Sequence, residues 1–250
     1  VAAQVHSKRA LGPDVIELVL MPETPVAVRA GQYLKFHLAD GDTRCFSIAN
    51  LPDEDDGRLV FQIRRVSGGY FSEGILGGLA VGERLHVEGP FGACTWQDDE
   101  AAPVVLFATG TGYAGIKPIL LTALKRDVDV TLYWGGAQSA DFYDSAFLDH
   151  LMLEHPRFRW HPVRSSEGRV QEVAMSHGHQ WEQAQVYACG NGAMLGQVRI
   201  HCLEAGLPSH RFIAEAFVAS GRSGAETGSL SFDPVWEKVG PRYSLDGMLA

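Results

Sequence analysis

The sequence predicts a two-domain fold, an antiparallel β-barrel followed by an α/β domain with a parallel sheet. Three observations carry this. The first hundred residues hold short β-type runs separated by turn residues. From residue 104 onward, short apolar runs alternate with segments of helical length. Between them lies Asp98-Asp-Glu-Ala-Ala-Pro103, a polar stretch with the composition of a linker. A chain of 250 residues suits two small domains. The expected boundaries are 1–100, 101–219 and a C-terminal extension, 220–250.

In the barrel half, Asp14-Val-Ile-Glu-Leu-Val-Leu20, Gln32-Tyr-Leu-Lys-Phe-His37 and Leu59-Val-Phe-Gln-Ile-Arg64 alternate or are rich in β-formers. Pro22, Gly31, the acidic turn at 52–57, Gly68-Gly69 and Gly89-Pro90 break them apart. Many short strands joined by tight turns favour a closed antiparallel barrel. One short helix fits residues 72–77. In the second half the expected strands are 104–108, 130–134, 158–163, 185–189 and 212–217. Helices are expected near 113–126, 141–154, 171–177 and 192–205. This alternation makes a parallel sheet with right-handed crossovers. After residue 220, Gly221-Arg-Ser-Gly-Ala-Glu-Thr-Gly-Ser229 reads as linker, and Trp236 and Tyr243 lie beyond it.

Composition narrows the function. A net charge of −9 argues against nucleic acid or an anionic membrane as partner. No apolar run approaches the roughly 18–20 residues of a membrane span, and the first residues lack the pattern of a signal peptide. A cytoplasmic location is expected. Cys45, Cys94, Cys189 and Cys202 are scattered, without the tight spacing of cluster ligands, so all four are expected as thiols. The histidines show no helical His-x-x-x-His pair, and no metal site is expected.

Several short motifs carry chemistry. Arg44-Cys-Phe-Ser47 ends an extended run. A flavin needs a flat apolar wall, a donor near its ring and a cation for its phosphates; Phe46, Ser47 and Arg44 offer these. A barrel strand with a surface arginine and a core phenylalanine reads the same. Gly69 and Ser72 flank the short helix, where Ser72 suits an N-cap and a phosphate suits the helix start; an ordinary turn also does. Gly110-Thr111-Gly112 runs from strand to helix, as a pyrophosphate site or as a plain tight turn. Cys189-Gly190 ends a further strand, where the thiol packs against a nicotinamide or only in the core. Glu215-Ala-Phe217 ends the last strand; Glu215 is either a proton relay or a solvated carboxylate, and Phe217 either shields a ring or fills core. Trp134, Trp160 and Trp181 read as packing.

Taken in order, Arg44-Cys-Phe-Ser-Ile-Ala-Asn50, Glu88-Gly-Pro-Phe-Gly92, Gly110-Thr-Gly112, Leu132-Tyr-Trp-Gly-Gly136, Val186-Tyr-Ala-Cys-Gly190 and Glu215-Ala-Phe217 resemble the ferredoxin–NADP reductase superfamily over about residues 1–219. The nearest branches are reductase components of oxygenases and deoxysugar enzymes, and NAD(P)H:flavin reductases. The resemblance implies a flavin-binding barrel, an NAD(P)-binding α/β domain, and a flavin between them, FAD rather than FMN. The family's Arg-x-Tyr-Ser maps onto Arg44, Phe46 and Ser47, with Phe for Tyr. Its phosphate-side Gly and Ser/Thr map onto Gly69 and Ser72. Its nicotinamide-side turn maps onto Gly110, Thr111 and Gly112, and its Cys-Gly onto Cys189 and Gly190. The usual Ala-Pro is here Ala114-Gly115. The cysteines of a fused [2Fe–2S] domain have no match, so any iron–sulfur partner is expected to be a separate protein or subunit.

The expected reaction is hydride transfer from NAD(P)H to bound FAD, framed by Ser47, Cys189 and Glu215, with electrons passing to a separate ferredoxin or oxygenase component. The alternatives are a reductase of diffusible free flavin and a non-catalytic subunit that senses flavin or nucleotide. Residues 137–141 offer the acid Asp141 and no base for a 2′-phosphate, which favours NADH over NADPH. Against this preference, Arg164, Ser165 and Arg169 follow the next strand, and their reaching the ribose would favour NADPH.

Overall fold

A computed structural model describes residues 1–98, 102–219 and 230–233. The first half is a six-stranded antiparallel sheet of β1 (Ala2–Ala10), β2 (Val15–Pro22), β3 (Tyr33–His37), β4 (Thr43–Ser47), β5 (Leu59–Arg64) and β6 (Arg84–Phe91), in the order β4-β3-β6-β1-β2-β5. Its two end strands meet, since Ala49 N–H just after β4 donates to Val60 O of β5 at 2.7 Å. That contact closes the sheet into the expected barrel. Alternation sets the inward face: Leu34 and Phe36 on β3, Phe61 on β5 and Val87 on β6 are buried in one core. Phe36 sits at its centre, edge-on to Phe46, Phe61 and Phe71.

The second half is a sheet of β7 (Val104–Thr109), β8 (Val130–Gly136), β9 (Phe158–Arg164), β10 (Gln185–Asn191), β11 (Phe212–Ala219) and β12 (Leu230–Asp233), in the order β12-β11-β10-β7-β8-β9. Strands β7–β11 are parallel, and β12 pairs antiparallel with β11. The central strands β7, β8 and β10 are buried on both faces, which is why they read as nearly continuous apolar runs, whereas the edge strand β9 alternates buried and exposed residues. Val104, Leu106 and Ala108 pack with α2 (Tyr113–Ala123) and α3 (Ser145–Glu154). Val105 and Phe107 pack on the other face with α4 (Val170–Ser176) and α5 (Gly192–Glu204). The strand order reverses between β7 and β10, and a crevice at the carboxyl ends of the strands follows from that topology.

Two expectations need correction. The short helix after Gly69 is a wide turn over Tyr70–Ile75 that runs into one helical turn, α1 (Leu76–Gly78). Ser72 lies inside it and is not an N-cap: its hydroxyl accepts from Val66 N–H at 2.9 Å and faces Val66 O at 3.3 Å. The helix expected over 141–154 begins only at Ser145. Asp141 ends a short turn, Ser139–Asp141, and accepts from the N–H groups of Ala137 and Gln138 just before it. The expected linker at 221–229, Trp236 and Tyr243 lie outside the described residues.

Candidate functional site

Two hollows meet where the barrel faces the reversal of strand order. A cavity of about 140 Å³ is lined by Phe46, Ser47 and Gln62 from the barrel and by Thr111, Ala114 and Phe217 from the second sheet. A larger cleft of about 640 Å³ runs over the ends of β7, β8, β9 and β10, past Gly110, Gly136, Ser165, Arg169 and Asn191. Arg64, at the end of β5, lines both.

The wall on the barrel side follows from strand alternation. Phe46 is held between Phe36 at 5.1 Å and Phe71 at 5.0 Å, and Ser47 beside it is buried. Arg44, one pleat back, is also buried and bonds the Asp42 carboxylate at 2.5 Å and Thr43 O at 2.9 Å. Gly69 is backed by Ser72 Oγ and Val66 O.

The wall on the sheet side is built by close backbone approach. A Cβ on Gly112 would lie 2.3 Å from Cys189 O, so this turn touches β10 only as glycine. Trp134 Nε1–H donates to Gly110 O at 2.9 Å, and its ring stacks on Tyr113 at 4.1 Å. The tryptophan read as packing therefore also holds the turn. Gly190 sits against the Thr109 side chain. At Gly115, where the resemblance implies proline, a Cβ would lie 2.9 Å from Cys189 Sγ and 3.0 Å from Ser47 Oγ. The glycine lets a barrel hydroxyl and a sheet thiol reach the same spot.

Cys189 and Glu215 are register partners on β10 and β11. Glu215 is 2% exposed, which excludes the solvated alternative. Its Oε2 accepts from Cys94 N–H at 3.4 Å. Burial pushes its pKa above the usual carboxylate range, partly offset by the N–H groups of Cys94 and Ala93. A hydrogen bond with the Cys94 thiol, together with burial, pushes Cys189 well up, so this cysteine stays a protonated thiol. It is poorly suited to act as a nucleophile.

The structure thus brings Phe46, Ser47, Thr111, Gly112, Cys189, Glu215 and Phe217 to one junction. Gly110 lies in the adjoining cleft, and Arg44, Gly69 and Ser72 stand back from it on the barrel. Sequence reasoning missed Gln62, Arg64, Cys94 and Tyr143. Gln62 left a signal only through alternation: Leu59, Phe61 and Ile63 face the barrel core, which turns Gln62 to the opposite face of the strand. The other three gave none, because their partners are distant in sequence. Asp141, read as an acid for the ribose, is instead buried, bound to Ala137 and Gln138 N–H, and paired with Arg64 at 3.4 Å.

An apolar slot with an aromatic wall, two hydroxyls and an amide at its edges fits a planar heteroaromatic ring such as a flavin. A cleft over strand ends beside glycine turns fits a dinucleotide. The comparisons agree. Residues 2–96 match the oxidoreductase FAD-binding domain family, and residues 106–199 match the oxidoreductase NAD-binding domain family. The chain is 36% identical over 237 residues to reductase component 2 of terephthalate 1,2-dioxygenase from Comamonas sp, covering 89% of this chain and 69% of that protein. It is 31% identical over 229 residues to the CDP-6-deoxy-L-threo-D-glycero-4-hexulose-3-dehydrase reductase of Yersinia pestis, covering 87% and 68%. Its fold is similar to that of the Amycolatopsis cytochrome P450 reductase GcoB, with a TM-score of 0.80 and 29% identity over 86% of this chain and 68% of that one. The chain belongs to the ferredoxin–NADP reductase superfamily and is an NAD(P)H-dependent flavoprotein reductase.

Proposed function

We propose that the chain takes hydride from NADH onto an FAD held in the cavity and passes the electrons to a separate protein, a ferredoxin or an oxygenase component. One observation carries this: the ring-sized cavity and the dinucleotide cleft meet, with Arg64 lining both. When bound, FAD supplies a ring that accepts two electrons together and releases them singly. In this reading residues 1–100 bind the flavin, 101–219 bind the coenzyme and 220–250 extend the second domain.

The residues divide the work. Phe46 and Phe217 bound the ring, and Ser47 and Thr111 offer hydroxyls at its edge. Arg44, Gly69 and Ser72 serve the phosphate side, with Ser72 acting by shaping the turn. Gly110, Gly112 and Gly190 let the coenzyme approach the strand ends, and Arg64 offers its pyrophosphate a cation. Cys189 packs beside the nicotinamide as a neutral thiol. Glu215 behind it places a buried carboxyl, bound by Cys94 N–H, close to the reacting rings. Orientation of two rings in a water-poor junction is the protein's contribution to rate.

The coenzyme preference rests on charge. The cleft is lined by two cations, Arg64 and Arg169, and two anions, Asp141 and Glu172. Arg164 is paired with Glu167. Among the described residues that line the cleft, no surplus positive charge is left for the additional phosphate of NADPH.

The test is the visible spectrum of the desalted protein, then anaerobic NADH. A bound flavin spectrum that NADH bleaches supports the proposal. A colourless protein that oxidises NADH only with added flavin is a diffusible-flavin reductase. A colourless, inactive one is a sensing subunit. Ser47→Ala should slow stopped-flow flavin reduction about two- to tenfold, the weight of one hydrogen bond; an unchanged rate removes Ser47 from the reaction. NADH should exceed NADPH in kcat/KM, and equal values would overturn the preference.

A further inference from the structure

Gln62 is a buried amide with half of its hydrogen bonding unused. The residue is 4% exposed and lines the cavity. The Tyr143 hydroxyl donates to its Oε1 at 3.0 Å. Among the described residues the carboxamide has no other hydrogen bond, and its Nε2 is not sealed off by protein. The orientation is forced. Among those residues Oε1 is the one acceptor of the Tyr143 O–H, so turning the amide over would strand a buried phenol proton. Tyr143 is itself fixed, edge-on to Trp134 at 5.0 Å and to Tyr113 at 6.0 Å. Burial pushes its pKa well up, so it remains a donor. A buried amide of this kind ordinarily finds partners for both ends, and Nε2 can only donate.

We propose that Gln62 presents its N–H groups to a carbonyl oxygen or ring nitrogen on the flavin edge, in an orientation set by the Tyr143 hydroxyl from the other half of the chain. This rests on the flavin reading above and adds a residue that contacts the ring and one that positions it. Tyr143 reaches Gln62 from the segment between β8 and α3, so the ring's hydrogen bonding depends on the two halves being docked. A donor at the ring edge favours the more electron-rich reduced ring, which places Gln62 among the groups that set its reduction potential.

The experiment titrates FAD into flavin-free protein by fluorescence and measures the reduction potential of the reloaded protein against a dye. The variants are Gln62→Met, which keeps length and removes the donor, Tyr143→Phe, and the double substitution. Gln62→Met should weaken FAD binding about three- to tenfold, shift the visible band and make the potential more negative. Tyr143→Phe should move all three the same way by less, and the double variant should match Gln62→Met alone. Wild-type affinity, band and potential in Gln62→Met would overturn the proposal. Additive effects in the double variant would overturn the positioning role of Tyr143. If the wild-type protein takes up no flavin, the flavin reading itself falls, before any variant is compared.

Discussion

Glu215 puts a carboxyl where neighbours on every side are buried, and the fold bears a cost for it. Its folded pKa lies above the ordinary value because burial outweighs the two N–H groups that face it. The folded chain therefore holds this proton more tightly than the unfolded chain. Stability from this group is greatest below the unfolded pKa and falls as pH rises through the folded one. Glu215→Gln keeps an acceptor for Cys94 N–H and removes the ionisation. Its thermal midpoint should exceed that of the parent at pH 8, and the gap should shrink toward pH 4. Parallel pH profiles would show that Glu215 ionises as freely folded as unfolded. At this scale the sequence revealed the residue types but not their surroundings. Glu215 read equally as solvated, because burial of a carboxyl depends on the neighbouring strand and on the chain at 93–94, which no local pattern encodes.

Among the elements, the turn from β7 to α2 sits closest to its limit. The Cβ of a Gly112→Ala variant would meet the carbonyl of Cys189, backbone in the middle of a sheet that cannot step aside. The expected loss is about 1–3 kcal/mol in urea unfolding. Gly192→Ala, in the first turn of α5 where a Cβ meets nothing within 4 Å, should cost far less and serves as the control. Equal losses would mean that the close approach at Gly112 is relaxed in solution. Strand–helix alternation was legible: β7 to β11 and α2, α4 and α5 lie near their expected places, since apolar runs and their alternation with helical segments are local signals. Segments whose polar side chains choose distant partners were not. Ser72 turned from a helix cap to Val66, and Asp141 and Tyr143 delayed α3 by binding the preceding turn and the barrel.

Across the whole molecule, the halves are joined by side chains far apart in sequence. Gln62 meets Tyr143 and Arg64 meets Asp141, 81 and 77 positions away. Such pairs are invisible to periodicity, so the sequence revealed both halves and the chemistry between them but not their docking. The segment after β6 adds to it. Trp96 stacks on Tyr187 at 5.7 Å, Gln97 N–H donates to the Tyr187 hydroxyl at 2.8 Å, and Trp96 N–H reaches back to Ala30 O at 3.2 Å. Both halves should unfold in one transition, and Trp96→Ala should lower its unfolding free energy by about 2 kcal/mol. Two separate transitions in the parent protein would show that the docking is weak.

That segment also bears on how such reductases can be recombined. Its residues fall within the stretch matched as FAD-binding, yet Cys94 lies over Cys189 and Glu215 of the coenzyme half. A chimera crossed at the polar stretch after Gln97 keeps each backbone whole but draws the two thiols of one hydrogen-bonded pair from different parents. A chimera with a foreign barrel is therefore expected to keep its stability only if that barrel brings a residue that fits against Cys189.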